Sequence, residues 1–265
     1  MPDHALILGG CTIGQHLARL LLNEGRHVTI TVSSKRRVAE LRAALALPEE
    51  QGCRLRVIPL QLEIQESVDS AMTQILANGT PNRVADCMHP HLEGLIAAVE
   101  PDDAAAYFAA AVSARHRIMH GLTRAMLTGA KGRRSAGRQD NAAGNLGRRV
   151  TGRLVYLSST AAAMPNAGQG FYAAAKSAAE ALFRSIGVEL APRGITTTTL
   201  RAGYVDAGRG ARYLTEHPEA LRAVPLGRAL APEEVAATLH WLLSEAATGI
   251  NATVITMDGG MTACK

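Results

Sequence analysis

Three side chains in this sequence have the types and spacing to move a proton. Ser159 ends an apolar, strand-like run, Tyr172 follows thirteen residues later, and Lys176 stands four beyond it. Tyr172 and Lys176 lie in an Ala-rich segment that reads as helix, and i,i+4 spacing puts both on one face. A phenol is a weak acid near neutrality, with an ordinary pKa of about 10. A nearby ammonium stabilises its phenolate and is expected to lower that pKa. A serine hydroxyl at the adjoining strand end could hold a carbonyl oxygen beside the phenol. Together the three are equipment for proton transfer to or from a carbonyl/alcohol pair.

The elements that must position them follow from alternation along the chain. Short β-branched or apolar runs at 5–8, 27–32, 55–60, 84–88, 153–157, 196–200 and 253–256 predict strands. Helix-compatible stretches fall between them at 14–23, 35–46, 66–77, 103–127, 170–190 and 232–244. Strand–helix alternation implies an α/β fold: a parallel sheet with helices on both faces, in a single domain over 1–265. The length suits one large domain with a full core. No repeat or linker divides it.

Composition excludes several classes. Aromatics make up 3% of the chain, too few for a base-stacking surface, and no nucleic-acid motif accompanies the net charge of +5. Much of that charge sits in an Arg/Gly-rich connection at about 130–150. No apolar run approaches a bilayer span and no leader opens the chain, so the expectation is a cytoplasmic protein. The scattered Cys11, Cys53, Cys87 and Cys264 read as reduced thiols, with Cys11 a small packed residue of its turn. His89, His91 and the pair His116/His120 lack a completing carboxylate or cysteine, so no metal is expected.

From 152 to 195 the sequence resembles the catalytic core of the short-chain dehydrogenase/reductase family: a strand ending Ser-Ser, then Tyr-x-x-x-Lys, then "VELAPRGI". "AGYVDA" (202–207), "PLGRALAPEEVA" (225–236) and "ITMDGG" (255–260) resemble the family's later landmarks in order and spacing. The resemblance spans nearly the whole chain and is closer after residue 150, where it is most like 3-oxoacyl-(acyl-carrier-protein) reductases. It implies a Rossmann-type three-layer domain with seven strands in the order 3-2-1-4-5-6-7, and catalysis by Ser159, Tyr172 and Lys176. It also implies a substrate lid at about 208–224 and oligomers, dimeric or tetrameric, built on the helices after strands four and five. The Ala-rich stretches 104–111 and 173–181 would permit that packing, with the same chain or a relative.

The nucleotide half departs from the family's pattern. A dinucleotide needs a tight glycine turn after the first strand, so that backbone N–H groups and a helix N-terminus meet the pyrophosphate. Gly9, Gly10, Cys11, Thr12, Ile13 and Gly14 occupy that turn, which is one residue short and lacks the middle glycine. The second strand ends in Ser33, Ser34, Lys35 and Arg36, with no carboxylate for ribose hydroxyls. Hydroxyls and cations there suit a 2′-phosphate, so the implied cofactor is NADP(H). Gln61 and Leu62 should flank the adenine. Met88 and His89 replace the usual N-N-A-G wall, and Ala202, Gly203 and Val205 should lie near the nicotinamide. Ala207 stands where a threonine is usual. The relay asparagine of the helix after strand four is missing; Ser113 or Arg115 falls near its place.

The implied function is an NADPH-dependent ketoreductase acting on a 3-oxoacyl thioester, carried by a carrier protein or CoA, or on a similar ketone. Arg133, Arg134 and Arg138 are candidates to receive an acidic carrier. The alternative is a reductase-like subunit with impaired cofactor binding, acting as partner or scaffold in a hetero-oligomer.

Overall fold

A computed structural model describes residues 3–135 and 150–263. Seven strands form one parallel sheet: β1 (His4–Leu8), β2 (His27–Val32), β3 (Leu55–Pro59), β4 (Arg83–Asp86), β5 (Gly152–Ser159), β6 (Ile195–Ala202) and β7 (Thr253–Met257). Their order is β3-β2-β1-β4-β5-β6-β7, as the resemblance implied. The helices are α1 (Thr12–Asn23), α2 (Arg36–Leu45), the single turn α3 (Glu49–Gly52), α4 (Gln65–Leu76), α5 (Pro101–Phe108), α6 (Arg115–Ser135), α7 (Gly170–Leu190), α8 (Gly208–Glu216) and α9 (Pro232–Leu243).

The sheet is apolar on both faces because helices cover both. Successive side chains of a strand point to opposite sides. Ala5 and Ile7 of β1 therefore join Leu17 and Leu21 of α1 and Val235 and Leu239 of α9 in one core. Leu6 and Leu8 join Val68 and Ile75 of α4, Ile118 and Leu122 of α6, and Ala179 and Phe183 of α7 in the other. Sheet order reverses at β1, which leaves a crevice beyond the carboxyl ends of β1 and β4, where open α/β sheets bind ligands.

Besides the added helices α3 and α8, two differences from the sequence-based expectation bear on the site. The fourth strand stops at Asp86 rather than 88, because the Asp86 carboxylate accepts the Met88 N–H (3.1 Å) and turns the chain. The expected continuous helix at 103–127 is split: α5 passes through a π-helical segment, Ala109–Ala114, before α6 begins. A π insertion rotates everything beyond it relative to a regular helix. Arg115, next in line, is turned into the protein interior and is 1% exposed. Arg138 and most of the basic connection at 130–150 lie outside the described residues. Arg133 and Arg134 fall in the last turns of α6, where the backbone alone is described.

Candidate active site

Ser159, Tyr172 and Lys176 come together where β5 ends and α7 begins. Their register is fixed from below. Ser158 faces the interior and donates to Glu180 Oε1 (2.6 Å), and Arg201 of β6 donates to both Glu180 oxygens (3.1 and 2.6 Å). One buried carboxylate thus ties β5, α7 and β6 together. Ser159 caps the short turn that follows by accepting the Ala161 N–H (3.2 Å), and Ser177 of α7 donates to Ala162 O in that turn (2.9 Å). Ala173, Ala175 and Ala179 are buried and small, which lets α7 lie close to the sheet.

Lys176 is buried and donates to the Leu157 carbonyl (2.8 Å). Its Nζ lies 4.8 Å from the Tyr156 ring centre and 5.7 Å from that of Tyr172. Arg115 approaches the same Tyr156 ring from its guanidinium carbon at 5.1 Å. Of the two candidates for the missing relay position, Arg115 therefore reaches the site; Ser113 is exposed on the π-helical segment. Arg115 is held by a wholly buried ion pair with Asp86 (2.6 Å) and donates to the carbonyls of Met88 (2.6 Å) and Ala111. A buried charge must be paired and hydrogen-bonded, and this one is.

These cations change the expected electrostatics. Burial, followed by the charge of Arg115, brings the Lys176 pKa down to about 7. The Tyr172 phenol is raised above its ordinary value by burial; the Ser159 hydroxyl and Arg209 pull it back. This corrects the expectation that Lys176 lowers the phenol pKa. Its ammonium is turned onto Leu157 O and the Tyr156 ring, and desolvation reduces its own charge near neutrality. Tyr172 consequently holds its proton at neutral pH, the form a general acid requires.

His89 packs edge-on against Tyr172, ring centres 4.7 Å apart, and its Nε2 is 2.6 Å from Tyr107 Oη. His91, two residues on, contacts Arg209 at the start of α8. Neither Tyr107 nor the Asp86–Arg115 pair stands out in the sequence as site chemistry. Arg115 is notable there only for falling near a vacant relay position, since no spacing rule announces a π insertion.

The glycine turn between β1 and α1 is tight. Gly9 adopts a positive φ of 104°, and a Cβ on Gly14 would stand 2.3 Å from the Gly9 carbonyl oxygen. A Cβ on Gly10 would meet Val32 at 2.9 Å. The first N–H groups of α1 have no partner within the helix, and Cys11 offers no side-chain cap. Cys11 is exposed, not packed, because it is the N-cap at the open end of the turn. Met88 lies against Gly9 and accepts a weak bond from Thr31 (3.6 Å to sulfur).

Ser33, Ser34, Lys35 and Gln61 line a polar cavity of about 510 Å³ with Ser67, Ser70 and Gln74. Arg36 is not in that lining; it is exposed and pairs with Glu40 one turn along α2 (3.2 Å). Leu62 is buried and faces a second cavity of about 550 Å³. Ala202 ends β6 opposite Ser159, Gly203 passes so close to Asp258 that a Cβ would come within 2.9 Å, and Val205 bridges to Leu230. These residues adjoin Ser159, whereas the 510 Å³ cavity lies toward the β2 and β3 ends. Among the described residues, no group of three or more His, Cys, Asp or Glu gathers as a metal would need, and no helix is long and apolar enough to cross a membrane.

The family model described as enoyl-(acyl carrier protein) reductase matches residues 134–262. A 3-oxoacyl-[acyl-carrier-protein] reductase FabG from Aggregatibacter actinomycetemcomitans is 25% identical over 98% of this chain and 100% of its own length. The FabG of Pseudomonas aeruginosa is 34% identical, but over 42% of this chain and 45% of the relative, so the stronger matches span less than half of those proteins. Among solved structures, a short-chain dehydrogenase/reductase from Serratia marcescens superposes with a TM-score of 0.80 at 21% identity, covering 98% of each chain. ElxO with NADP bound gives 0.82 at 18% identity, covering 99% of this chain and 100% of ElxO, a likeness of fold. In its sheet order, in the convergence of Ser159, Tyr172 and Lys176 at the end of β5 and in these matches, the chain is similar to the short-chain dehydrogenase/reductase family.

Proposed function

We propose that this protein is an NADP(H)-dependent ketoreductase that converts the ketone of a 3-oxoacyl thioester, or a similar small ketone, to a secondary alcohol. The observation that carries the reading is the convergence of Ser159, Tyr172 and Lys176 at the mouth of the crevice. When bound, the nicotinamide supplies the hydride. Ser159 donates a hydrogen bond to the carbonyl oxygen, and Tyr172 gives that oxygen its proton as the alcohol forms. Lys176 bonds the nicotinamide ribose, while the Ser159 hydroxyl and Arg209 favour the phenolate that Tyr172 becomes.

The cradle of Gly9, Gly10 and Gly14 with the N–H groups of α1 fits a pyrophosphate. The hydroxyls of Ser33 and Ser34 with Lys35 fit a 2′-phosphate, which favours NADP(H) over NAD(H). The thioester class rests on the activity named for the relatives, an argument by likeness. In the same reading, α8 and the segment to Val224 form the lid. Arg133, Arg134 and Arg138 receive an acidic carrier, and the protein assembles through the faces of α5, α6 and α7.

The test is direct. NADPH and NADH are titrated by nicotinamide fluorescence, then acetoacetyl-CoA turnover is followed by NADPH consumption. Binding of NADPH in the micromolar range with turnover is expected. Failure of both nucleotides to bind at millimolar concentration would remove the ketoreductase reading.

A further inference from the structure

His89 carries an unspent hydrogen-bonding atom at the proposed reaction centre. Its Nε2 is 2.6 Å from Tyr107 Oη, while its Nδ1 is buried with no hydrogen-bond partner among the described residues. A neutral imidazole has one donor nitrogen and one acceptor nitrogen, and the partner of one decides the other. Burial and the positive charges of Lys176, Arg115 and Arg209 hold the His89 pKa far below its ordinary value, so the ring is neutral. Burial likewise raises the Tyr107 phenol, which keeps its proton. Tyr107 O–H therefore donates to Nε2, and the imidazole proton sits on Nδ1. Buried donors are almost always satisfied in folded proteins, so one left open beside reactive groups is a place for the oxygen of a ligand or of water. The ring bearing this donor stands edge-on to Tyr172, the proposed proton source.

We infer that His89 is a second hydrogen-bond donor of the active site, offering Nδ1–H to a carbonyl-type oxygen brought in by a ligand, with Tyr107 as the positioning residue that fixes its tautomer. The oxygen has two possible sources: the group next to the ketone of the substrate, such as a thioester carbonyl, or the carboxamide of the nicotinamide. Both present the same acceptor chemistry. The inference takes its ligands from the ketoreductase reading, but the tautomer and the vacant donor are properties of the free protein.

The experiment has two arms. In the first, nitrogen-15 NMR of the histidines in the unliganded protein at pH 7 reports the His89 tautomer. A protonated Nδ1 with a bare Nε2 is expected, and Tyr107→Phe should redistribute the proton between the nitrogens. A protonated Nε2 in the unaltered protein would overturn the inference. In the second, His89→Phe and His89→Asn are compared for NADPH Kd by fluorescence and for acetoacetyl-CoA KM and kcat. Loss of one neutral hydrogen bond should cost about tenfold. A tenfold rise confined to KM assigns the oxygen to the substrate; a tenfold rise in NADPH Kd assigns it to the carboxamide. His89→Asn, which keeps an N–H donor, should recover part of the loss. No change in either constant for a folded His89→Phe protein would sink the inference. If His89→Phe does not fold, the tautomer and its response to Tyr107→Phe decide. If the unaltered protein binds no NADPH, the ketoreductase reading falls while the first arm still stands as a test of the His89–Tyr107 pair.

Discussion

The two walls of the crevice are each anchored by a buried carboxylate–arginine pair, and the pairs do different things. On the β5–α7 wall, Glu180 accepts from Ser158 and Arg201, sits below Ser159, and locks strand to helix; Arg201 keeps some contact with solvent. On the β4 wall, Asp86 and Arg115 are both fully buried, and the arginine reaches the Met88 carbonyl and the ring shared with Lys176. The first pair fixes geometry from behind the site. The second adds a charge to the site itself. A buried cation beside Lys176 makes the lysine's charge conditional, which a neutral relay residue would not do.

The largest effect should come from the β5–α7 wall. Tyr172→Phe is expected to lower kcat by about 10²- to 10⁴-fold, the range for losing a general acid, with NADPH Kd changed less than about threefold. Steady-state kinetics with fluorescence titration reads both numbers. On the opposite wall, Arg115→Met strands Asp86 without a partner and should cost about 3–5 kcal/mol in urea unfolding. Adding Asp86→Asn should return part of that loss. Arg201→Met should cost less, since Glu180 keeps the Ser158 bond and Arg201 is partly hydrated. Equal losses for the two arginines would erase the distinction drawn between the walls.

The cradle offers a sharper cut. Gly14→Val puts side-chain atoms against the Gly9 carbonyl and should weaken NADPH binding by more than about tenfold, because α1 must retreat from the turn. Lys35→Glu places a carboxylate in the 510 Å³ cavity. It should shift the NADPH/NADH affinity ratio toward NADH by about tenfold, the work of one charge-assisted contact. Parallel fluorescence titrations with the two nucleotides read both effects.

A separate effect is the pH dependence of stability. Lys176 gives up its proton near pH 7 when folded and near 10.5 when unfolded. Between those values the unfolded chain binds more protons, so this residue's contribution to stability rises with pH and is least favourable below about 7. Urea unfolding at pH 6.5 and 9 should show that rise, and Lys176→Met should flatten it.

Much of the fold and of the site is legible in the sequence, for reasons tied to particular residues. The Tyr172/Lys176 pair is set by helical spacing and Ser159 by the end of an apolar run, so local pattern suffices to place all three. The order of the sheet follows from resemblance, and the glycine turn from Gly9, Gly10 and Gly14. Arg36, by contrast, reads as a phosphate ligand by its position after β2, yet it spends its charge on Glu40. Cys11 reads as packed, yet it stands exposed at the N-cap position of an open helix end. Both outcomes depend on which way a side chain points at a helix start.

Local rules therefore determined the elements and the proton-transfer trio, because alternation and i,i+4 spacing act over a few residues. The electrostatic state of that trio was decided by tertiary structure alone. Asp86 and Arg115 are 29 residues apart and meet because a π insertion rotates one toward the other. His89 and Tyr107 meet across the same bend, 18 residues apart. The pKa of a buried group depends on neighbours and desolvation, and both are fixed when the chain closes on itself.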